Sequence, residues 1–574
     1  MTRARDRLAE QVGRLQHWLR RPPVLDLPRY LRTAARAGLL RTGARHPLDL
    51  LRAALSRGVG VRSVHAIHAA SAPDRLAFAD RHRALTYLEA DAEIDAVAGA
   101  LRDHLGVCRG VPVVVCMENR IEYASVWFAL LRLGVTCAHV SRHATADEIE
   151  PLVERSRGRV LVVSTATLEI ALAVAQRRPD LDLRIVCVSD GHALPRAGVR
   201  VWDYHALVER QMALGGDLHV EAGPSDNVVY TSGTTGRPKG AVRDFSAFGA
   251  LELLQILDRL PLHVGDRHLV VAPLYHSSGQ VFTLLNSALG ASIWFDERFE
   301  AGETLRRLSE LRIDNVFMVP TMIARILELD DSVHHAHPTP HLQALISGAA
   351  PFSIGLRERA IARFGPDVVF DFYGATELGW VTLVDGHEMR ARPGTLGQAI
   401  PGQEIGVFDD AGERVPPGRV GRIYTRSAQL MLGYMRDEDA TREASLGDWL
   451  TVDDLGYLDE DGYLFLTGRA RDMVLSGGVN IYPAEIENVL SLHPSIRDVA
   501  VVGLPDPDWG ERLVAIVVAG PDFDAEAVQA WARERMTAYK VPRQWERVDE
   551  LPRNPTGKVL KRDLVAGLTR SGVV

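Results

Sequence analysis

The stretch Asn227-VVYTSGTTGRPKGAV, residues 227–242, decides how the rest of the sequence is interpreted. A short apolar run enters a loop rich in serine, threonine and glycine that ends in Pro-Lys-Gly. Glycines let backbone N–H groups approach phosphate oxygens closely, hydroxyls add donors, and a lysine adds positive charge. The Walker loop needs Gly-x-x-x-x-Gly-Lys-Ser/Thr, whereas here proline precedes Lys239 and glycine follows it. The stretch therefore predicts a phosphate-binding loop of a class other than the P-loop NTPases.

Lysine is scarce in this chain, which makes the position of each one informative. Only four of the 66 basic residues are lysines, namely Lys239, Lys540, Lys558 and Lys561. Arginine and lysine are not interchangeable, because lysine carries a compact point charge on a flexible stem. Lys239 lies in the loop above and Lys558 lies in a second glycine-containing loop, PTGK. This context favours functional roles for both over survival by chance under codon bias.

The pattern around the loop predicts an α/β fold. Apolar runs such as VPVVVCM (111–117), RVLVVS (159–164) and LRIVCVS (183–189) alternate with helical stretches, which is typical of largely parallel sheets. Past residue 395 short strands and Gly/Pro turns follow, and Asp461-Gly462 between two apolar runs predicts a hairpin. We predict a large N-terminal domain of mostly parallel sheets with a small β-barrel-like part, and a small, mobile α+β C-terminal domain. The predicted domains span residues 1–60, 61–469 and 470–574.

Composition excludes several classes of protein. The 574 residues are 46% hydrophobic and 24% charged, with a net charge of -8, which is ordinary for a globular protein and gives no sign of a nucleic-acid partner. No long uncharged apolar stretch predicts a membrane span, and the start lacks the apolar core of a secretory signal. The cysteines stand singly, so we predict buried, reduced thiols in a cytoplasmic protein.

Residues 1–60 differ from the rest, with 13 arginines against four acidic residues. Apolar residues recur at helical spacing, for example Leu8, Val12, Leu15 and Leu19, and prolines divide the region into short helices. Such a segment can make weak peripheral contact with an anionic membrane surface. It can equally pack on its own domain, and we favour packing.

Six motifs in order now identify a family resemblance. The run Tyr230–Gly240 resembles the AMP-binding signature of the adenylate-forming enzymes, which include acyl-CoA synthetases, amino-acid adenylation domains and luciferases. APLYHSSG (272–279), SGAAP (347–351) and DFYGATE (371–377) resemble further motifs of that superfamily. The segments 449–487 and 552–564 resemble its ribose, hinge, thioester and C-terminal lysine regions. The resemblance covers roughly residues 65–570 and points to the acyl-CoA synthetase branch, which includes the fatty-acid–CoA ligases.

The resemblance implies ATP, Mg²⁺ and CoA, and it implies a role for each matched residue. Lys558 would bridge the substrate carboxylate and the α-phosphate, Thr376 would donate to phosphate, and Glu377 would bind Mg²⁺. Ser476, Gly477 and Gly478 would form the thioester loop for CoA, and Arg471 would be the hinge. The implied nucleotide-binding residues are Thr231, Ser232, Gly233, Thr234, Thr235, Gly236, Lys239, Gly348, Ala349, Ala350, Asp371, Phe372, Tyr373, Gly374, Asp454 and Arg469.

The segment around His276 bears on the class of substrate. Amino-acid adenylation domains have an aspartate there that pairs with the substrate ammonium, whereas this segment reads Tyr-His-Ser-Ser. An acid without an α-amino group therefore fits better, and His276 resembles the residue that closes the pocket until the nucleophile arrives. Val281, Met318 and Trp380 are near the expected acyl pocket, although plain core packing would suit them equally.

Three positions depart from the family pattern. Asp244 and Phe245 stand where a Thr/Ser-His pair is common, and Asp453 stands where glycine usually precedes the ribose aspartate. We expect Asp244 near the start of a helix, where a carboxylate is favourable. The sharper hypothesis is that Asp244 and Asp453 weaken ATP binding by repelling its phosphates.

The predicted function is ATP-dependent activation of an apolar carboxylic acid, most readily a fatty acid, through acyl-AMP and on to CoA with domain rotation. One alternative is a ligase impaired in adenylation that mainly converts acyl-AMP of a specialised biosynthetic acid into the thioester. Others are an acyl-AMP ligase that loads a carrier protein, an acyl-AMP sensor and a luciferase-like oxygenase. The acid itself does not follow from these motifs.

Overall fold

The computed structural model describes residues 27–39, 60–195, 199–215, 226–231, 239–244, 250–554 and 557–570. Two mostly parallel sheets form the body of the large domain, as predicted, because their strands are buried on both faces. The nine-stranded sheet has the order Gln398–Ala399, Gly379–Asp385, Val369–Ala375, Ala344–Ser347, Asn315–Phe317, Arg267–Val270, Ser292–Phe295, Leu76–Ala79 and Ala84–Thr86. The eight-stranded sheet has the order Gly433–Tyr434, Lys239–Asp244, Asp226–Thr231, Cys137–His139, Val113–Cys116, Val160–Ser164, Arg184–Val188 and Val201–Asp203.

Two further sheets follow in the chain; the first is antiparallel, and the second is antiparallel except where strands Gly510–Ala519 and Gln544–Arg547 pair in parallel. A six-stranded sheet contains the predicted hairpin at Asp461-Gly462, and a five-stranded sheet forms the C-terminal domain. The strands of the former are Glu404–Phe408, Gly421–Arg426, Ser445–Leu446, Trp449–Leu450, Asp454–Leu458 and Leu464–Arg469. Those of the latter are Val474–Ser476, Val479–Ile481, Ile496–Asp506, Gly510–Ala519 and Gln544–Arg547. The predicted fold class is confirmed.

Helices cover the sheets and complete the cores. Tyr87–Leu105 begins with a capping box in which Thr86 and Glu89 bond each other's backbone N–H, and it ends at Gly106 in the left-handed conformation. The other helices are Leu27–Arg36, Val64–Ser71, Ile121–Leu133, Ala146–Ser156, Thr165–Arg177, Tyr204–Leu214, Ala250–Leu257, Ser277–Ala288, Ala301–Glu310, Pro320–Leu327, Asp331–Ala336, Ile354–Phe364, Gly386–Ala391, Glu438–Glu443, Pro483–Leu490, Ala525–Arg533 and Lys561–Arg570. None of the described helices is both long and apolar enough to cross a bilayer.

The described part of the basic N-terminal region packs on the large domain. Arg29 Nε donates to Asp258 Oδ2 at 2.9 Å, and Thr33 Oγ1 donates to Asp258 Oδ1 at 3.0 Å. Ala37 is buried, and its carbonyl accepts from the Val264 N–H at 2.8 Å. For residues 27–39, the structure thus agrees with packing on the large domain, which is the interpretation favoured above. The pattern at Leu8, Val12, Leu15 and Leu19 lies outside the described residues.

The cysteine prediction needs one correction. Cys116, Cys137 and Cys187 are buried and all four thiols are free, but Cys108 is exposed. It lies in the connection between helix Tyr87–Leu105 and strand Val113–Cys116, where neither element covers it.

Asp266 makes stability depend on pH. Burial raises the pKa of Asp266 to about 7, and Asp314 adds to the rise. An unfolded aspartate titrates near 3.9, so the folded state binds the extra proton between about pH 4 and pH 7 and loses stability as pH rises through that range. We expect Asp266→Asn to raise the melting temperature relative to wild type more at pH 8 than at pH 5. Asp367→Asn, at an exposed position, is the control. Equal effects of Asp266→Asn at both pH values would contradict this assignment.

Candidate active site

A cavity of about 1690 Å³ lies between the large domain and the C-terminal domain. Both domains supply its wall, and many of the predicted site residues converge on it from separate strands and loops. The predicted residues that line it are Ala349, Ala350, Asp371, Phe372, Tyr373, Gly374, Asp454, Arg469, Arg471 and Lys558. Residues far apart in sequence therefore form one site.

Asp454 is held rigidly at the cavity wall. Tyr373 Oη donates to its Oδ2 at 2.8 Å, and Arg469 Nε donates to its Oδ1 at 3.0 Å. Asp454 begins one strand of the hairpin and Arg469 ends the other, so the register sets them opposite each other. Each carboxylate oxygen keeps a further lone pair, which a pair of ligand hydroxyls could use.

Asp371 presents an unused acceptor. Arg357 Nη2 donates to Asp371 Oδ2 at 2.6 Å, and Arg357 Nη1 donates to the Thr395 carbonyl at 2.6 Å. Asp371 Oδ1 is buried and has no hydrogen-bond partner among the described atoms. Burial raises the pKa of Asp371, although Arg357 opposes the shift. A buried unpaired oxygen is costly, so a ligand donor at this wall would be favourable.

The Lys558 loop reaches from the C-terminal domain into the cavity. The Lys558 N–H donates to Asn554 Oδ1 at 2.9 Å, which closes the loop. A Cβ on Gly557, where φ is 80°, would lie only 2.8 Å from Thr321 Oγ1 of the large domain. Burial lowers the pKa of Lys558 to about 8; Arg469 and Arg471 contribute to the fall, whereas Asp454 and Asp472 oppose it. The amine is therefore largely desolvated, and a bound anion would stabilise its charged form.

A second set of residues lies around strand Lys239–Asp244, which follows the predicted phosphate-binding loop in the chain. Tyr434 Oη donates to Glu377 Oε1 at 3.1 Å, and Lys239 Nζ lies 5.2 Å from the centre of the Tyr434 ring. Burial lowers the pKa of Arg243 to about 10, and Glu377 opposes that shift. Arg243 and Tyr434 are absent from the sequence-based predictions, because no motif marks them. They become neighbours of Glu377 only through pairing of strands Lys239–Asp244 and Gly433–Tyr434.

Glu377 is a single carboxylate at this place. Within the described part of the chain, no group of three or more His, Cys, Asp or Glu side chains is suited to a metal ion. A single carboxylate suits Mg²⁺, which proteins bind through one or two carboxylates together with substrate phosphates. Ser232, Gly233, Thr234, Thr235 and Gly236 lie outside the described residues, and Thr231 ends the preceding strand.

His276 and Thr376 lie at the start of helix Ser277–Ala288. Ser277 Oγ and Thr376 Oγ1 are 3.1 Å apart, and the His276 ring is 4.5 Å from that of Tyr275. Burial lowers the pKa of His276 to about 4, so the imidazole is neutral at pH 7. Its Nε2 is buried without a hydrogen-bond partner among the described atoms.

The predicted thioester loop lies away from the cavity. Gly477 and Gly478 form the turn between strands Val474–Ser476 and Val479–Ile481, with φ values of 57° and 79°. That conformation favours glycine. A Cβ on Gly477 would also lie 2.7 Å from the Trp509 ring. Arg471, the predicted hinge, lies in the short 3₁₀ helix Ala470–Asp472 between the domains.

The predicted acyl-pocket residues do not line this cavity. Met318 is completely buried in a core cluster, and Val281 packs between two such clusters. Trp380 stacks on Phe372 with ring centres 4.9 Å apart. Phe372 itself lines the cavity, and a Cβ on Gly348 would lie 2.6 Å from its ring.

The expectation that Asp244 lies near the start of a helix stays a prediction, because residues 245–249 lie outside the described part of the chain. Asp244 is the last residue of strand Lys239–Asp244, which pairs in register with Asp226–Thr231, and the next described helix begins at Ala250. Antiparallel pairing extends the strand to this position. Phe245 lies outside the described residues.

Asp453 has its own partner. Its carboxylate pairs with the Arg422 guanidinium, and its backbone has φ of 65°, in the left-handed region. Arg422 compensates the charge that the sharper hypothesis directs at ATP. This left-handed conformation explains why the family pattern has glycine at this position, because only glycine adopts it without strain.

We expect Asp453→Gly to leave adenylation within about twofold of wild type. Relief of left-handed strain, roughly 1–2 kcal/mol, should outweigh the loss of an exposed ion pair, about 0–1 kcal/mol. The melting temperature should therefore stay equal or rise. Asp453→Asn removes the charge and keeps a side chain, so it separates the two effects. An adenylation rate that rises more than about fivefold in both variants would restore the electrostatic hypothesis.

The chain is similar to known proteins over most of its length. The family described as AMP-binding enzyme matches residues 66–435, and its C-terminal domain matches residues 485–558. A 2-succinylbenzoate–CoA ligase from Bacillus licheniformis is 29% identical over 86% of this chain and 97% of its own. A fatty acid–[acyl-carrier-protein] ligase from Streptomyces coeruleorubidus is 29% identical over 88% and 95%. The o-succinylbenzoate CoA synthetase of Bacillus subtilis, solved with its acyl-adenylate intermediate, has a TM-score of 0.72 at 25% identity over 90% and 98%.

Proposed function

We propose, from the premise that this chain belongs to the AMP-binding enzyme family, that it activates an apolar carboxylic acid with ATP and transfers the acyl group to CoA. The 2-succinylbenzoate–CoA ligase and the o-succinylbenzoate CoA synthetase ligate an acid to CoA, and the latter was solved with its acyl-adenylate, so they support the type of reaction but not the identity of the acid. The finer assignment, to an acyl-CoA synthetase with ATP, Mg²⁺ and CoA, is our proposal. The assignment of a fatty acid as the substrate stays a prediction.

The observation that carries the proposal is the convergence on Lys558. Activation brings a carboxylate against the α-phosphate of ATP, so two anions must be held in line. Lys558 lies in a cavity with Arg469 and Arg471, and burial, together with the charges of these two arginines, lowers its pKa. In the proposed complex, Lys558 bridges carboxylate and α-phosphate, and Asp454 accepts from the ribose hydroxyls. The unpaired Asp371 Oδ1 accepts from the adenine amino group.

In this proposal, a second group of residues binds the phosphates of ATP. Lys239 and the loop 232–236 hold the β- and γ-phosphates, Thr376 donates to phosphate, and Glu377 binds Mg²⁺. When bound, Mg²⁺ neutralises phosphate charge and favours departure of pyrophosphate. Arg243 lies near Glu377 and adds positive charge at this end.

The second half-reaction needs a second arrangement of the domains. Lys558 lines the cavity, whereas Gly477 and Gly478 do not, and both belong to the C-terminal domain. We infer that this domain turns about Arg471 after adenylation, so that the glycine turn replaces the lysine loop and admits the CoA thiol. Neutral His276 then moves away from the thiol path. A carrier-protein thiol is the second candidate acceptor, because one relative loads such a protein.

The test assays the two half-reactions separately with the full chain. The first supplies ATP, Mg²⁺ and an acid panel and measures pyrophosphate and acyl-AMP. The second supplies synthetic acyl-AMP with CoA, or with a phosphopantetheinyl carrier protein, and measures the thioester. We expect both half-reactions, with CoA as the better acceptor. Absence of acyl-AMP with every acid would overturn the proposal, whereas thioester formation alone would favour the adenylation-impaired alternative.

A further inference from the structure

An aromatic stack fills the space behind the apolar wall of the cavity. Phe372 forms part of that wall, and Trp380 stacks directly behind it at 4.9 Å with an angle of 19° between the rings. Phe282 and Phe317 complete the stack, with ring centres 4.9 Å apart and an angle of 12°. Phe282 lies 5.2 Å from Trp380, and Phe317 lies 5.8 Å from Phe372. All four side chains are more than nine-tenths buried.

The origin of these rings shows which space they occupy. Phe317, Phe372 and Trp380 come from three strands of the nine-stranded sheet, and Phe282 comes from helix Ser277–Ala288. That helix also begins beside His276 at the catalytic end of the site. The rings therefore close the wedge between this helix and the sheet. Interiors pack at crystal-like density, so a long chain cannot enter there without displacing a ring.

The remaining directions out of the site are poorly suited to a long apolar chain. Val271, Val319 and Met322 supply part of the apolar wall of the cavity. The same wall also carries the polar side chains Arg142, His143, Arg325 and Glu328. Ligand pockets bind apolar groups through a predominantly apolar lining, and these polar side chains interrupt it.

We propose that Phe372, backed by Trp380, limits the substrate to compact carboxylic acids, above all aryl acids, and excludes long-chain fatty acids. The inference rests on the proposed function and names the substrate class of the same site. A flat ring stacks or meets Phe372 edge-on and gains specific aromatic contact in addition to burial. A C16 chain cannot extend past Phe372, because Trp380, Phe282 and Phe317 fill the space behind it.

The experiment measures kcat/KM for CoA-thioester formation by the full chain with benzoate, octanoate and hexadecanoate. We expect benzoate to exceed hexadecanoate by at least about tenfold, the scale on which a pocket discriminates by size. Phe372→Ala should lower the benzoate-to-octanoate ratio by about tenfold, because it extends the pocket toward Trp380. The KM for ATP should stay unchanged, since a role in adenine binding would raise it instead.

Two further variants serve as a control and as a replacement in this test. Phe408→Ala removes another buried phenylalanine, which packs on Trp449 at 5.4 Å in the six-stranded sheet, and it should leave the ratio unchanged. Phe372→Leu replaces Phe372→Ala if the latter does not fold. Preference of the wild type for hexadecanoate, an unchanged ratio in the Phe372 variant, or a raised KM for ATP alone would overturn the inference. The absence of adenylate with every acid would instead overturn the proposed function.

Discussion

Lys558→Ala is expected to abolish acyl-AMP formation and to leave thioester formation from supplied acyl-AMP nearly unchanged. The lysine amine lies in the cavity beside Arg469 and Asp454, where it can stabilise charge during attack on the α-phosphate. Loss of one preorganised electrostatic group costs on the order of 10²–10³ in rate, or about 3–4 kcal/mol. The two half-reaction assays measure both rates in the same preparation.

Lys540→Ala is the matched control, because Lys540 is also a lysine of the C-terminal domain but pairs with Glu485 at 2.5 Å and is not among the residues that line the cavity. It should retain adenylation. The pH dependence gives an independent readout. Because burial lowers the pKa of Lys558 to about 8, kcat/KM for adenylation should fall as pH rises through that value, while thioesterification should not follow it. Equal losses of both half-reactions in Lys558→Ala would contradict the assignment.

Gly355→Val is expected to impair adenylation selectively through the contact between the domains. Gly355 is the second residue of helix Ile354–Phe364, and its N–H donates to Ser491 Oγ at 3.4 Å. A Cβ there would lie 2.2 Å from the carbonyl oxygen of Ser491, the residue that caps the C-terminal end of helix Pro483–Leu490 in the C-terminal domain. Overpacking of this kind typically costs about 1–3 kcal/mol. Adenylation should therefore fall about 10- to 100-fold, because the described domain arrangement is the one that inserts Lys558.

Thioesterification from supplied acyl-AMP should change little, since the proposed rotation separates Gly355 from Ser491. Gly302→Val is the matched control. Gly302 is also the second residue of its helix, Ala301–Glu310, and a Cβ there would meet only Glu300 carboxylate oxygens at 3.6 and 3.7 Å. The control corrects for the loss of stability that valine causes in any helix through its low helix propensity. Wild-type adenylation by Gly355→Val, or the same loss in both variants, would show that this contact does not select the adenylation arrangement.

Local patterns in the sequence predicted much of the architecture. Apolar runs of four to seven residues became the buried parallel strands, as at 159–164, because a strand covered on both faces needs no polar side. Asp461-Gly462 became the hairpin turn, with Gly462 at φ of 81°, because glycine tolerates that conformation.

The sequence by itself determined which residues are candidates for chemistry, since the predicted phosphate loop, Asp454 and Lys558 stand in recognisable local motifs. It also determined the family, because several such runs occur in order. Only the tertiary structure decided what surrounds them. The pairing of Asp453 with Arg422, the stack behind Phe372 and the contact of Gly355 with Ser491 join residues from separate strands, helices or domains. No local pattern encodes such contacts, because they depend on packing between segments that are distant in the chain.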